Sequence, residues 1–238
     1  MTLVNLFIIF AIAIFVRIFP INEIRKWLLL IASIVLIYWL QPALPVRYLD
    51  FYLPTLLVGL ILLSWFLLSS PEERSRRNNY VAVGVIFSTI LAINLTRFIN
   101  LTGLVTPSRP PGLTFLVVVV VLLCLLGFVL GKTEWKNKTI WGIGFVVFML
   151  ILLVLKNPDL RLLTSQGIRS LQGQSPDYAT RIDIQWLGFS YVVFRLIHTI
   201  KDFQNKRLKE VGLLTYVNYI IFFPSFTTSW ILENTLKT

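Results

Sequence analysis

Apolar runs long enough to form helices recur about eight times along the 238 residues, separated by mostly short polar connections. No single motif constrains the fold as strongly as that recurrence. The runs read as membrane spans near 3–19, 24–40, 51–68, 80–97, 113–130, 140–155, 186–200 and 211–224. Backbone in hydrocarbon must satisfy its own N–H and C=O groups, so each run is expected to be an α-helix. The expected fold is all-α: a polytopic transmembrane helical protein with about eight membrane segments, residues 1–238 forming a single transmembrane domain. The second and last runs are short against the roughly 20 residues that a bilayer core of about 30 Å requires. Short runs survive when they are buried among neighbours, tilted or re-entrant.

Composition agrees with that reading. The chain is 56% hydrophobic and 14% charged, whereas soluble domains average about 25% charged residues. A net charge of +11 raises the question of nucleic acid. The basic residues sit in short loops and no nucleic-acid-binding motif accompanies them, so the expected partner is the lipid bilayer and not RNA or DNA. Arg25 and Lys26 follow the first run, Arg74, Arg76 and Arg77 the third, Lys132, Lys136 and Lys138 the fifth, and Lys201, Lys206, Arg207 and Lys209 the seventh. Alternation of basic and poor loops puts the N-terminus outside and these four loops in the cytoplasm. The linker at 156–185 runs against the rule, because Lys156, Arg161, Arg169 and Arg181 then lie outside.

The same linker is far longer than the other connections, and long loops are often functional. Leu160, Leu163, Ile168 and Leu171 recur loosely at helical spacing within it. They read as an interfacial helix capping the outer mouth of the protein, or equally as a solvated loop that returns the chain. The valine run before Cys124 reads as a lipid-facing helix, with the sole cysteine as one more small hydrophobe on it. Residues 1–20 lack a basic start and a small-residue cleavage site, so they are kept as a span and not a signal peptide. Pro54 is expected in the first turn of the third run, where it costs little. The three Asn-x-Thr tripeptides at Asn94, Asn100 and Asn137 read as polar residues at the membrane edge.

The seventh run carries the candidate chemistry. Tyr191, Arg195, His198 and Asp202 follow at steps of four, three and four, which brings them to one side of an α-helix. A charge at mid-bilayer costs about 2.5–3.5 kcal/mol, so the stripe is expected to line or brace a protected interior. Asp202 is placed to orient His198 as a base. The alternative is that the stripe only ties this helix to its neighbours through hydrogen bonds. His198 is the sole histidine, and no HExxH, CxxC or carboxylate cluster occurs, so no metal or other cofactor is expected. Neither GxxxxGK[ST] nor GxSxG is present, and no catalytic residue is assigned.

Gly188, Phe189, Ser190 and Tyr191, with Phe194, Ile197 and Asp202, resemble a segment of the type GxSFxxFxxIxxxxD, with Tyr191 standing at its first phenylalanine position. A basic loop, a further run and the phrase Phe222-Phe223-Pro224-Ser225-Phe226-Thr227-Thr228 come after it. This arrangement resembles the membrane-bound O-acyltransferase family, in particular the bacterial branch of alginate O-acetyltransferases and the D-alanyl transfer protein of teichoic acids. The likeness covers about a fifth of the chain. It implies a bacterial plasma-membrane protein that transfers an acyl group from an acyl carrier or thioester donor to a hydroxyl of a cell-envelope or lipid acceptor. Where the family has Gly-Pro-Ile, this chain reads Ser229-Trp230-Ile231. The family's catalytic histidine belongs to helices beyond that point, so the chain is expected to be an N-terminal fragment, inactive alone, and His198 does not inherit the role. A small transporter or channel using the stripe as its path, and a non-catalytic membrane scaffold, are the competing expectations.

Overall fold

The computed structural model describes residues 3–99, 105–131, 138–207 and 210–221. Ten α-helices and no strands occupy them: α1 (Leu3–Ile18), α2 (Asn22–Leu40), α3 (Leu49–Leu68), α4 (Pro71–Arg74), α5 (Arg77–Leu95), α6 (Leu113–Gly131), α7 (Lys138–Lys156), α8 (Pro158–Leu171), α9 (Phe189–Gln204) and α10 (Leu213–Ile220). Each of the eight expected runs contains a helix. By length and apolarity, two helices among the described residues can cross a membrane, α3 and α5; shorter apolar stretches lie at Phe7–Ile18, Leu113–Leu126 and Gly144–Lys156.

Local chemistry sets the boundaries. Pro20 stops α1, since a residue preceding proline is steered away from the α region. Ser70 accepts a hydrogen bond from the Glu73 amide at 3.2 Å, and Asn157 accepts from the amides of Asp159 and Leu160 at 2.9 and 3.3 Å. Proline follows both caps at the first helical position, where its missing N–H has no partner to lose. Helix α3 begins at Leu49, two residues earlier than its apolar run, so Pro54 stands in the second turn and not in the first.

Two helices of nearly uniform apolarity are treated in opposite ways. Helix α3 is buried along most of its length and packs against α2, α6, α9 and α10. Helix α6 buries Leu116 but leaves Val117, Val118, Val121, Leu122, Leu125 and Phe128 exposed. An all-round hydrophobic helix belongs either in a core or against lipid. Exposed large hydrophobes also cover the outer sides of α1, α5 and α7. The core itself is drawn from α2, α3, α5, α9 and α10, with Tyr38, Phe51, Leu57, Ile86, Phe189 and Leu213 fully enclosed.

Hydrogen bonds between connections gather at two ends. At one end Trp65 Nε1 donates to the Val211 carbonyl (3.0 Å), Asn79 accepts from the Leu213 amide (2.9 Å) and Asn218 donates to the Lys26 carbonyl (2.9 Å). At the other end Gln41 donates to the Gln185 carbonyl at 2.6 Å and accepts from the Leu187 amide at 3.3 Å. The Arg47 amide donates to Gln174 there, and Arg97 and Asn94 donate to the carbonyls of Pro110 and Pro111. The eight-residue α10 is short for a span, and all of its contacts are with helices that bury it.

The linker contains α8 and a single 3-10 turn at Pro176–Tyr178. Its buried side is polar. Arg169 and Asp183 pair at 2.8 Å with side chains 7% and 0% exposed, and the hydroxyls of Ser165 (2.6 Å) and Thr180 also donate to Asp183. Of the four expected apolar contacts, Ile168 packs inward, while Leu163 and Leu171 face out. A second pair, Arg181 with Asp159 at 2.9 Å, lies on the surface.

Candidate functional site

Helix α9 begins at Gly188, whose φ of 71° is a left-handed conformation that side chains other than glycine's adopt at a cost of roughly 1–2 kcal/mol. Trp186 stacks on Phe189 at 4.1 Å just before the first turn. Gln41, at the end of α2, pins the same approach through both of its amide groups. Nothing in the sequence singles out Gln41 beyond its being a polar residue after an apolar run.

From that start, Tyr191, Arg195, His198 and Asp202 do share one face. The Arg195 guanidinium lies 4.5 Å from the centre of the Tyr191 ring and 4.7 Å from that of Tyr219 on α10. It also donates to the Tyr219 carbonyl. A cation held between two rings is stabilised by their quadrupoles, more so where water is excluded. One turn further on, His198 Nδ1 and Asp202 Oδ2 are 3.0 Å apart.

The face they share points away from the core. Phe189, Val192, Val193, Leu196 and Thr199 are the buried residues of α9. They stand at i, i+3, i+4, i+7 and i+10, so the inward side is an apolar stripe and the polar stripe lies opposite. His198 is 71% exposed and Phe194 is exposed beside it. The stripe is thus graded: Tyr191 packs against the edge of the core, Tyr219 and its carbonyl meet Arg195, and His198 is exposed. The reason is competition. Four large apolar side chains on one face gain more from the core than a guanidinium and an imidazole could.

Gly188, Phe189 and Ser190 lie in the first turn of α9, Phe189 fully buried. Phe223 and Pro224, with the rest of the second phrase, lie outside the described residues. Among the described residues no group of three or more potential metal ligands occurs.

One buried acid escaped the sequence reading. Asp50, in the first turn of α3, is 2% exposed and neither carboxylate oxygen has a hydrogen-bond partner. The Ser108 hydroxyl and amide and the amides of Asp50 and Phe51 lie around it without meeting hydrogen-bond geometry. Its place at the edge of an apolar run gives no sign of burial in the sequence.

No family model matches the chain, and no curated protein or solved structure is significantly similar to it.

Proposed function

We propose that the chain is a polytopic membrane protein of the membrane-bound O-acyltransferase kind, and that the outer face of α9 forms one wall of a path for acyl transfer to a hydroxyl acceptor. The observation that carries this reading is the gathering of Tyr191, Arg195, His198 and Asp202 on one side of a helix whose opposite side is core. That helix is also the segment on which the family resemblance rests. Membrane insertion is supported by the apolar outer surfaces of α1, α5, α6 and α7, far more than a monomeric soluble protein exposes. The segregation of connections to two ends fits alternating spans with the N-terminus outside. A charged stripe facing lipid is costly, so water, substrate or protein must cover it. Arg195 is positioned to hold an anionic group such as a carboxylate or phosphate of donor or acceptor. His198 and Asp202 orient polar groups near the inner end, and no catalytic role is assigned to His198.

The outward stripe also favours a second reading, a scaffold whose α9 face binds another membrane protein. One experiment separates the two. A photoreactive acyl thioester is irradiated with the purified chain in nanodiscs, and the cross-linked residues are mapped by mass spectrometry. Labelling at Tyr191 or Phe194 that falls about tenfold in Arg195→Leu supports the acyl path, a loss of one charged hydrogen-bonded contact being worth about that factor. Labelling spread evenly over exposed apolar side chains rejects it. Co-purification of one protein partner, lost in Arg195→Leu, supports the scaffold.

A further inference from the structure

A half-open groove of about 610 Å³ runs between α3, α5 and α6, with no residue of α9 in its lining. Its walls are apolar: Val58, Gly59 and Leu62 from α3, Val83 and Phe87 from α5, and Val120 from α6. Its size falls within the roughly 300–1,000 Å³ of small-molecule sites. On α3 the lining extends from Thr55 to Phe66, eleven rises of about 1.5 Å, or roughly 16 Å. That is about half of a 30 Å hydrocarbon core, the depth of one leaflet.

The ends of the groove differ. At the end near Phe66 it meets Arg74 of α4 and Asn79 and Tyr80 in the first turn of α5. The Arg74 guanidinium lies 4.0 Å from the centre of the Phe66 ring, and its Nε donates to Ser69 at 3.3 Å. Among the described residues no carboxylate is within ion-pair distance of Arg74, because the neighbouring Glu73 pairs with Arg76 at 3.0 Å. Partial burial pulls its pKa below the ordinary arginine value, which marks a cation that has lost water without gaining a counter-ion. Tyr80, exposed at this end, is an aromatic with a polar tip of the kind that collects at membrane interfaces.

We propose that this groove binds one acyl chain of an anionic phospholipid, with the lipid phosphate on Arg74. A neighbouring helix would fill the apolar walls but leave the guanidinium unmatched. A zwitterionic lipid would place its own cation near it. An anionic lipid of the adjoining leaflet satisfies both the length of the groove and its charge. The inference rests on the membrane reading and is independent of acyl transfer.

The test is native mass spectrometry of the full chain released from micelles containing equal amounts of phosphatidylglycerol and phosphatidylcholine. The expected result is one retained phosphatidylglycerol per chain, favoured over phosphatidylcholine by about fivefold, the effect of one basic residue near a lipid phosphate. Val83→Trp and Val120→Trp, which fill the groove from two different helices, should each remove most of the retained lipid. Arg74→Gln should retain lipid without headgroup preference. Equal retention of both lipids by the unaltered chain, or retention unchanged in both tryptophan variants, overturns the proposal, as does a lipid-free dimer. Flotation of the unaltered chain with vesicles keeps the two readings apart. Protein that does not float sinks the membrane reading, whereas protein that floats without lipid selectivity sinks only the groove.

Discussion

Asp183 is the residue where charge, burial and pH meet most directly. Burial alone would raise its pKa, but hydrogen bonds from Arg169, Ser165 and Thr180 outweigh that, and the carboxyl lies below its ordinary value. The sign of the consequence follows. A depressed acid contributes stability in full above the unfolded-state value, about pH 4, and loses it as pH falls through the lower folded value. Asp183→Asn leaves Arg169 buried without its counter-charge, and breaking such a pair costs about 3–5 kcal/mol. Thermal unfolding of both chains between pH 7 and pH 2 checks the two parts together. The unaltered chain should unfold at the higher temperature at pH 7, and the difference should shrink on the acid side. A gap that stays constant to pH 2 would mean that the Asp183 charge adds nothing. Replacing both partners by Met and Leu, as Arg169→Met with Asp183→Leu, should recover most of the loss, because the desolvation penalty leaves with the charges.

Helix α9 separates what its sequence made legible from what it could not. The steps of four, three and four placed Tyr191, Arg195, His198 and Asp202 on one face, because helical geometry is local. Which face meets the core depends on neighbours far along the chain, and here α3, α7 and α10 pack on the side of Val192, Val193 and Leu196. The same limit hid Gln41, which bonds to residues about 144 positions away, and the partner of Arg169, fourteen positions distant. The eight apolar runs each announce a helix, whereas the short polar α4 has no such signal and the loose apolar repeat of α8 leaves helix and loop equally open unless Asn157 and Pro158 are weighed as cap and first residue. The two faces of α9 predict opposite responses. Leu196→Ala opens a cavity in the core and should destabilise by about 2–5 kcal/mol. His198→Ala removes an exposed contact with Asp202, and even a fully charged surface pair is worth at most about 1 kcal/mol. Unfolding in micelles, followed by circular dichroism, gives both values. Equal losses would mean that something covers His198 as thoroughly as the core covers Leu196.

At the scale of the molecule, the alternation of ends ties the basic loops to a direction of insertion. Residues near Lys26, Ser70, Asn79 and Glu210 are joined by hydrogen bonds or adjacency at one end, with Gln41, Arg47, Gln174 and Gln185 at the other. On the proposed membrane reading, positive charge retained in the cytoplasm would put the first group inside and the second outside. The linker's excess of basic residues is the feature that opposes this, yet Arg169 and Arg181 are both paired with acids within the linker region, on Asp183 and Asp159. Cysteine labelling decides the matter, since Cys124 is the chain's only cysteine and can be removed as Cys124→Ser. In that background Tyr178→Cys and Ser75→Cys each introduce a thiol at an exposed position. In intact cells a membrane-impermeant maleimide should modify the cysteine at 178 at once and the one at 75 only after permeabilisation. The reverse pattern inverts the whole orientation, and with it the leaflet from which Arg74 draws its lipid. Labelling of both in intact cells would leave no barrier between the two ends, and the reading of α3 and α5 as spans would fail with it.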